Sequence, residues 1–379
     1  MAKSIYYPTP KNELEVRSNI VLKYFSKWSS SLITNIKTEQ LEEKFAVVDL
    51  AAGWELEEHN DAIITKLLDW ATSQPQLRNM LSTIINDRDE QQIATITKHL
   101  TTIHHIELLR FSPHIHFSEV DNKLQAAISS IKTLPTLVLA NWGTYKGLSF
   151  EFLYNLVHQS KSDCLLLFDY KKMSSFIHKK NKQEELARLL GAKTSTELQQ
   201  VLKKRCSALK KEELITKAFE KKLKSTMGKG LLNPLKFKFY DHKNKASHFL
   251  YFLTQNQEAY TLMREIFCSE SQIIEDGIGN LAYNPNKGAQ QKITSPTLFG
   301  SMFELEQELL KTYQSQTLQI IDIYENHHLG RSLIKKNYID ALLNLEKKNK
   351  ITVTRKRRPR IGLNNPLHLG DKVFVSFNK

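Results

Sequence analysis

The residues best equipped for chemistry crowd toward the C-terminal end. Lys347, Lys348, Lys350, Arg355, Lys356, Arg357, Arg358 and Arg360 put eight cations into fourteen residues with no acid among them. Arg331, Lys335 and Lys336 lie just upstream. Such a run neutralises phosphates, and the alternatives are a solvated basic hairpin or a docking surface for an acidic protein. Other reactive residue types are less organised. His104, His105, His114 and His116 follow an H-H-x8-H-x-H pattern without a recognised ligand geometry, so no metal site is expected. Ser247-His248 falls inside a strand-like run with no elbow motif or acid partner. Met227-Gly228-Lys229-Gly230 lacks the rest of a phosphate loop and reads as a turn. Cys164, Cys206 and Cys268 are odd in number and far apart, which is neither a disulfide framework nor a zinc pattern and suits a reducing cytoplasm.

The elements that must position these residues follow from periodicity. Val16, Ile20, Val21, Tyr24, Phe25 and Trp28 recur at three- and four-residue spacing, which predicts an amphipathic helix. Strand-like runs at 45–50, 81–85, 115–119, 136–140 and 164–168 alternate with helical stretches at 63–70, up to 99, 124–131 and 149–158. This alternation predicts a parallel sheet covered on both faces, a doubly wound Rossmann-type α/β domain. Residues 176–228 are Lys- and Glu-rich with helical spacing and read as a helical insertion. Strands at 235–240 and 247–253 then predict a hairpin that closes the sheet with an antiparallel edge. A helix at 260–267 completes a first domain spanning 1–275.

Turn residues from Gly277 to Pro296 predict a linker over 276–297. Beyond it, helices at 303–313, 318–326 and 332–347 precede short strands at 351–354 and 373–377. Three helices closed by a hairpin outline a winged-helix domain over 298–379. The basic run then falls on the wing and beside the third helix, where phosphates pass.

Composition agrees with a soluble-type core and an anionic partner. The 379 residues are 41% hydrophobic, enough for real cores, and 54 Lys and Arg against 40 Asp and Glu give a net charge of +14. No apolar run approaches the ~20 residues of a membrane span, and the first twenty residues lack the apolar stretch of a secretory signal. The expected setting is the cytoplasm, without a membrane partner.

Several motifs resemble the three-Cys-motif partner (TcmP) family. Val47-Val48-Asp49-Leu50-Ala51-Ala52-Gly53 is similar to its V-D-L-F-A-G-P-G strand and turn, and Tyr145-Lys146-Gly147-Leu148-Ser149 to its D-P-F-G-Y-K-G-L-S motif. Asp163-Cys164 through Phe168-Asp169-Tyr170, Phe237-Lys238-Phe239, Ser247-His248, Met263-Arg264-Glu265-Ile266 and Ile323-Tyr324-Glu325-Asn326-His327 follow in the family's order. The resemblance implies a methyltransferase-like Rossmann domain fused to a winged helix. It also implies a partner protein with a three-cysteine motif, in mobile-element or defence settings.

A site for S-adenosylmethionine on this pattern would draw on the ends of four strands. Asp49 and Gly53 stand at the first turn, with Trp54 and Glu55 replacing Pro-Gly; Glu55 would oppose the ligand's carboxylate. Asn86, Asp87 and Asp89 follow the second strand and Glu119 or Asp121 the third. After the fourth strand, Asn141-Trp142-Gly143-Thr144 replaces D-P-F-G. Asn141 could bond a target amino group and Trp142 could stack on a base, the two residues expected nearest to catalysis. Each position also has a structural alternative: a strand end for Asp49, a turn or helix cap for Asp87 and Asp89, core burial for Trp54 and Trp142.

The expectation is therefore a methyltransferase-like nucleic-acid-binding protein of the TcmP type, binding S-adenosylmethionine weakly or not at all and acting with a three-cysteine-motif partner in phage defence or a mobile element. An active S-adenosylmethionine-dependent DNA or RNA methyltransferase is one alternative. A protein scaffold that does not bind nucleic acid is another.

Overall fold

The computed structural model describes residues 11–39, 44–53, 56, 62–119, 122–129, 131, 133–142, 148–158, 162–177, 179–202, 206–227, 232–275, 278–288, 290–293, 301–328, 331, 333–354 and 373–378. These form two compact units, one of the described residues within 9–266 and 283–288 and the other of those within 267–282 and 289–379.

The larger unit opens with helix α1 (Glu13–Glu39). Its start is fixed by a reciprocal cap: the Glu15 N–H donates to Asn12 Oδ1 and the Asn12 N–H to Glu15 Oε2, each at 2.7 Å. Strands β1 (Phe45–Asp49), β2 (Leu81–Asp87), β3 (His114–Phe117), β4 (Thr136–Trp142) and β5 (Asp163–Asp169) follow, then β6 (Leu235–Tyr240) and β7 (Ala246–Leu253). The sheet order is β3-β2-β1-β4-β5-β7-β6, with the short β10 (Ala282–Tyr283) beyond β6. The first five strands pair in parallel, and β7 pairs antiparallel with both β5 and β6. This is the doubly wound Rossmann-type arrangement that the alternation predicts, with the expected antiparallel edge. The strand order reverses between β1 and β4, β2 and β3 extending the sheet on one side of β1 and β4 and β5 on the other, so that Asp49 and the end of β4 lie at the switch point where such sheets bind ligands.

Every residue of β1, β2 and β4 is buried, as strands covered on both faces require. One face carries Val48, Val138, Ala140, Trp142, Leu166 and Phe168. Against it pack α6 (Phe150–His158), α8 (Gln183–Leu190), α9 (Ala192–Leu202) and α10 (Ala208–Met227). The last three of these form the helical insertion. The opposite face is covered by α1 and α2 (Ile63–Thr72): Phe25 meets Phe45 at 6.5 Å between ring centroids and Trp70 at 5.7 Å. The remaining helices are α3 (Pro75–Met80), α4 (Glu90–Leu100), α5 (Asn122–Ser129), α7 (Tyr170–Phe176) and α11 (Gln257–Glu270).

The smaller unit contains α12 (Ser301–Thr312), β12 (Thr317–Gln319), α13 (Ile320–His327), α14 (Lys335–Lys347), β13 (Ile351–Thr354) and β14 (Phe374–Phe377). The three strands pair antiparallel in the order β12-β14-β13. Leu305, Leu309, Ile323, Tyr338, Leu342, Leu345, Val375 and Phe377 form its core. Helix, strand, two helices and a hairpin make a winged helix. The helix expected from residue 318 instead begins at Ile320, because Thr317–Gln319 pairs with β14.

The expected linker over 276–297 is corrected. Its described part carries β9 (Ile278–Gly279), β10 and β11 (Gln291–Ile293), and β11 and β9 flank β8 (Ile273–Glu275) in a three-stranded sheet. Strands of two or three residues show no alternation, so their turn residues dominate the sequence signal. Gly279 is there for close packing, since a Cβ would lie 2.8 Å from the Cys268 Cα.

Candidate functional site

At the carboxyl ends of the parallel strands, polar groups are turned toward the protein itself. Asp49, the last residue of β1, is 4% exposed and its Oδ1 accepts the Ala51 N–H at 3.0 Å. Asp87, the last residue of β2, accepts the Gly53 N–H on Oδ2 at 2.7 Å and the Asp89 N–H on Oδ1 at 3.0 Å. Asp89 caps α4, its Oδ1 taking the N–H groups of Gln91 and Gln92 at 2.9 and 3.3 Å. Gly53 is pressed against that helix: a Cβ would lie 2.3 Å from the Gln92 Cβ and 2.9 Å from Asp87 Oδ2. Here, glycine and acid serve the turn and the helix cap. Glu119 sits half-exposed beyond β3.

Asn141 and Trp142 end β4 and, as neighbours on a strand, point to opposite faces. Trp142 lies in the core, 2% exposed, stacked on Phe150 with centroids 3.9 Å apart and edge-on to Phe219 at 5.9 Å. Its expected stacking on a base is therefore corrected: the ring is buried in the core with Phe150 stacked on it. Strand parity was the available signal, because only one of the pair could face the site. Asn141 faces α1, is 3% exposed, and neither amide atom has a hydrogen-bond partner among the described residues. With Arg17 and Asp49 it lines a cavity of about 40 Å³. That exceeds the ~10–15 Å³ a buried water needs, and such a water would satisfy the amide.

The polar groups that complete this end were not visible as a motif. Arg17 on α1 is 3% exposed, with its Nε 3.8 Å from Glu13 Oε1. The same carboxylate lies 3.4 Å from His248 Nδ1, and His248 Nε2 lies 3.8 Å from Asp169 Oδ1. Asp169 also caps α7 through the Lys172 N–H at 2.8 Å. In the sequence, Glu13 and Arg17 are ordinary charges on an amphipathic helix, and only the placement of α1 across the sheet gives them neighbours.

A small-molecule site usually takes about 300–1,000 Å³. The Asp49–Asn141 cavity is roughly an order of magnitude smaller, Asp87 is committed to two backbone donors, and the space over Gly53 is filled by Gln92. Among the described residues, the Gly53 turn and the Asp49–Asn141 cavity leave no room for S-adenosylmethionine as arranged. Glu55 and Asp121 lie outside the described residues.

On the winged helix, two of the expected phosphate contacts have internal partners. Arg331 pairs with Glu308, and Lys348 pairs with Glu306, a carboxylate 3% exposed that also accepts from Asn344 Nδ2 at 3.1 Å. Lys335 is half-exposed at the start of α14. Lys336, Lys347 and Lys350 are exposed and make no ion pair among the described residues. Arg355, Lys356, Arg357, Arg358 and Arg360 lie outside the described residues. Beneath α14, the His327 ring sits 2.8 Å from the Tyr338 hydroxyl, and burial lowers its pKa.

Residues 282–357 match the family model described as a GMT-like wHTH domain. No curated protein matches the sequence. Among solved structures, the chain is similar to a predicted O-methyltransferase, Atu636, from Agrobacterium tumefaciens: 10% identity, 55% of this chain and 73% of that one, TM-score 0.28. The methyltransferase domain of bacterial CtHen1-C matches at 11% identity over 59% of this chain and 95% of that one, TM-score 0.26. YjhP from E. coli matches at 10% identity over 66% of this chain and 96% of that one, TM-score 0.27.

The winged helix and the Rossmann-type sheet thus stand in one chain. No helix among the described residues is long and apolar enough to cross a membrane.

Proposed function

We propose that this is a methyltransferase-like nucleic-acid-binding protein whose winged helix holds the polyanion while its Rossmann domain no longer takes S-adenosylmethionine productively. The observation that carries this reading is the winged helix itself, with Lys336, Lys347 and Lys350 exposed and without ion pairs among the described residues, and with Arg355, Lys356, Arg357, Arg358 and Arg360 following in the sequence. The wHTH match supports it. The packed turn around Gly53 and the small cavity at Asn141 support the loss of cofactor binding. On the TcmP resemblance, a three-cysteine-motif protein is the proposed partner, with cytoplasmic action in phage defence or a mobile element.

The test is the salt dependence of duplex binding. Each neutralised phosphate contributes ~0.9 to the slope of log K against log salt, so Arg357→Ala with Arg358→Ala should flatten it by about one to two units. Affinity should fall alike for unrelated sequences, because phosphate contacts position and do not specify. An unchanged slope would assign the basic run to protein docking. Calorimetric titration with S-adenosylmethionine addresses the other half: micromolar binding would restore the active-enzyme reading.

A further inference from the structure

A second basic concavity lies on the Rossmann unit, at the end of the sheet where Asp49 and Asn141 terminate their strands. Register places it there: Asp169, the last residue of β5, pairs with His248 near the start of β7, so the 241–245 turn between β6 and β7 lies beyond the carboxyl end of β5. That turn, the start of α7 and the start of α10 enclose a pocket of about 660 Å³, within the range of nucleotide-sized sites.

Its walls carry five lysines and two carboxylates. Both carboxylates are already engaged. Glu212 binds Lys238 Nζ at 2.7 and 2.8 Å, and Lys238 also lies over the Tyr240 ring at 4.3 Å. Asp241 Oδ1 accepts the backbone N–H groups of Lys243 and Lys245 at 2.8 and 2.9 Å. Lys171, Lys243 and Lys245 are exposed and make no ion pair among the described residues. Leu209, 75% exposed, adds an apolar lip. Positive charge at the rim, with an aromatic and an aliphatic side chain in a nucleotide-sized hollow, is the combination that holds backbone phosphates and shelters a base.

We infer that this pocket binds one nucleotide of a single-stranded nucleic acid, with Lys171, Lys243 and Lys245 on its phosphates. The inference rests on the nucleic-acid reading above and gives it a second contact, independent of the winged helix. A strand is favoured over a free nucleotide because the three lysines come from two separate segments at the rim.

The experiment uses the full chain and fluorescein-labelled dT20, a 20-bp duplex and thymidine monophosphate. Lys171→Ala/Lys243→Ala/Lys245→Ala should weaken dT20 binding at least tenfold and cut its salt slope by about one to two, at ~0.7 per phosphate on single strands. Duplex binding should stay within about twofold. The triple arginine variant should keep the wild-type slope, which separates charge from folding. Lys336→Ala/Lys347→Ala should show the reverse preference, weakening the duplex and sparing dT20. Unchanged dT20 binding by the triple alanine variant would overturn the inference and leave the winged-helix reading standing. Unchanged duplex binding by both the Lys336/Lys347 variant and the Arg357/Arg358 variant would overturn that reading instead. Thymidine monophosphate binding as tightly as dT20 would overturn the assignment to a strand.

Discussion

Asp163 offers a test of the fold's electrostatics in which a single atom is changed. It begins β5, is 3% exposed, and accepts the Tyr24 hydroxyl on Oδ2 at 2.6 Å. Burial pushes its carboxyl from 3.8 up to about 6, against the opposing effect of hydrogen bonds from Thr254, Tyr24 and Trp28. The Tyr24 hydroxyl is itself held well above its ordinary value by burial and by the charge of Asp163, so it remains the donor. The sign follows from proton counting. Between the unfolded and folded pKa values the native state binds more protons than the unfolded chain, so stability falls as pH rises through that window. With ~1.4 kcal/mol per pKa unit, the full effect is about 3 kcal/mol, present below pH ~4 and gone above ~6. About 2 kcal/mol of it falls between pH 4.5 and 7.5. Asp163→Asn keeps an acceptor for Tyr24 and cannot ionise, so the stability of the variant relative to wild type should rise by that amount across the window. All four tryptophans, Trp28, Trp54, Trp70 and Trp142, precede residue 266, so urea unfolding followed by tryptophan fluorescence reports on the Rossmann unit alone. Parallel stability curves for the two proteins over pH 4.5–7.5 would refute the buried, proton-favouring environment assigned to Asp163.

Two further substitutions probe the positions that close the site and the winged helix. Gly53→Ala should lower the urea stability of the Rossmann unit by about 1–3 kcal/mol, because the new Cβ meets the Gln92 Cβ at 2.3 Å; a variant as stable as wild type would place Gly53 away from α4. Lys348→Ala strips the cation from the buried Glu306 carboxylate and should speed hydrogen exchange in α14 and α12 by an amount equivalent to about 1–3 kcal/mol. Adding Glu306→Gln should return most of that protection.

The larger elements were legible in the sequence for a physical reason. Strands such as 136–140 and 164–168 are continuous apolar runs because both of their faces are covered, and that pattern survives without any knowledge of the neighbours. The antiparallel closure by β6 and β7 was equally visible from two runs joined by a polar turn. The winged helix was readable from helix count and the final hairpin, although β12, three residues long, was absorbed into the helix that follows it. The region around 276–297 failed for the same reason, since glycine and asparagine report tight turns and say nothing of the short strands between them.

The site was less legible because residue type does not reveal where a side chain spends its hydrogen bonds. Asp87 has the right identity and position for a ligand's hydroxyl groups, yet each of its oxygens already accepts a backbone N–H, from Gly53 and from Asp89. Asn141 shows the converse: its amide has buried, unmet bonding capacity among the described residues, but beside a space with room for water and little else. Converting the first kind of residue back into a binding group requires freeing the turn from α4, and converting the second requires moving α1 off the sheet. Both helices are anchored, α4 by the Asp89 cap and α1 by its own cap and by the Phe25 and Tyr24 contacts. Loss of cofactor binding in this fold would thus be held in place by packing as well as by the identity of the residues at the strand ends. Restoring one glycine or one aspartate by substitution would leave the cavity between Arg17, Asp49 and Asn141 as small as it is.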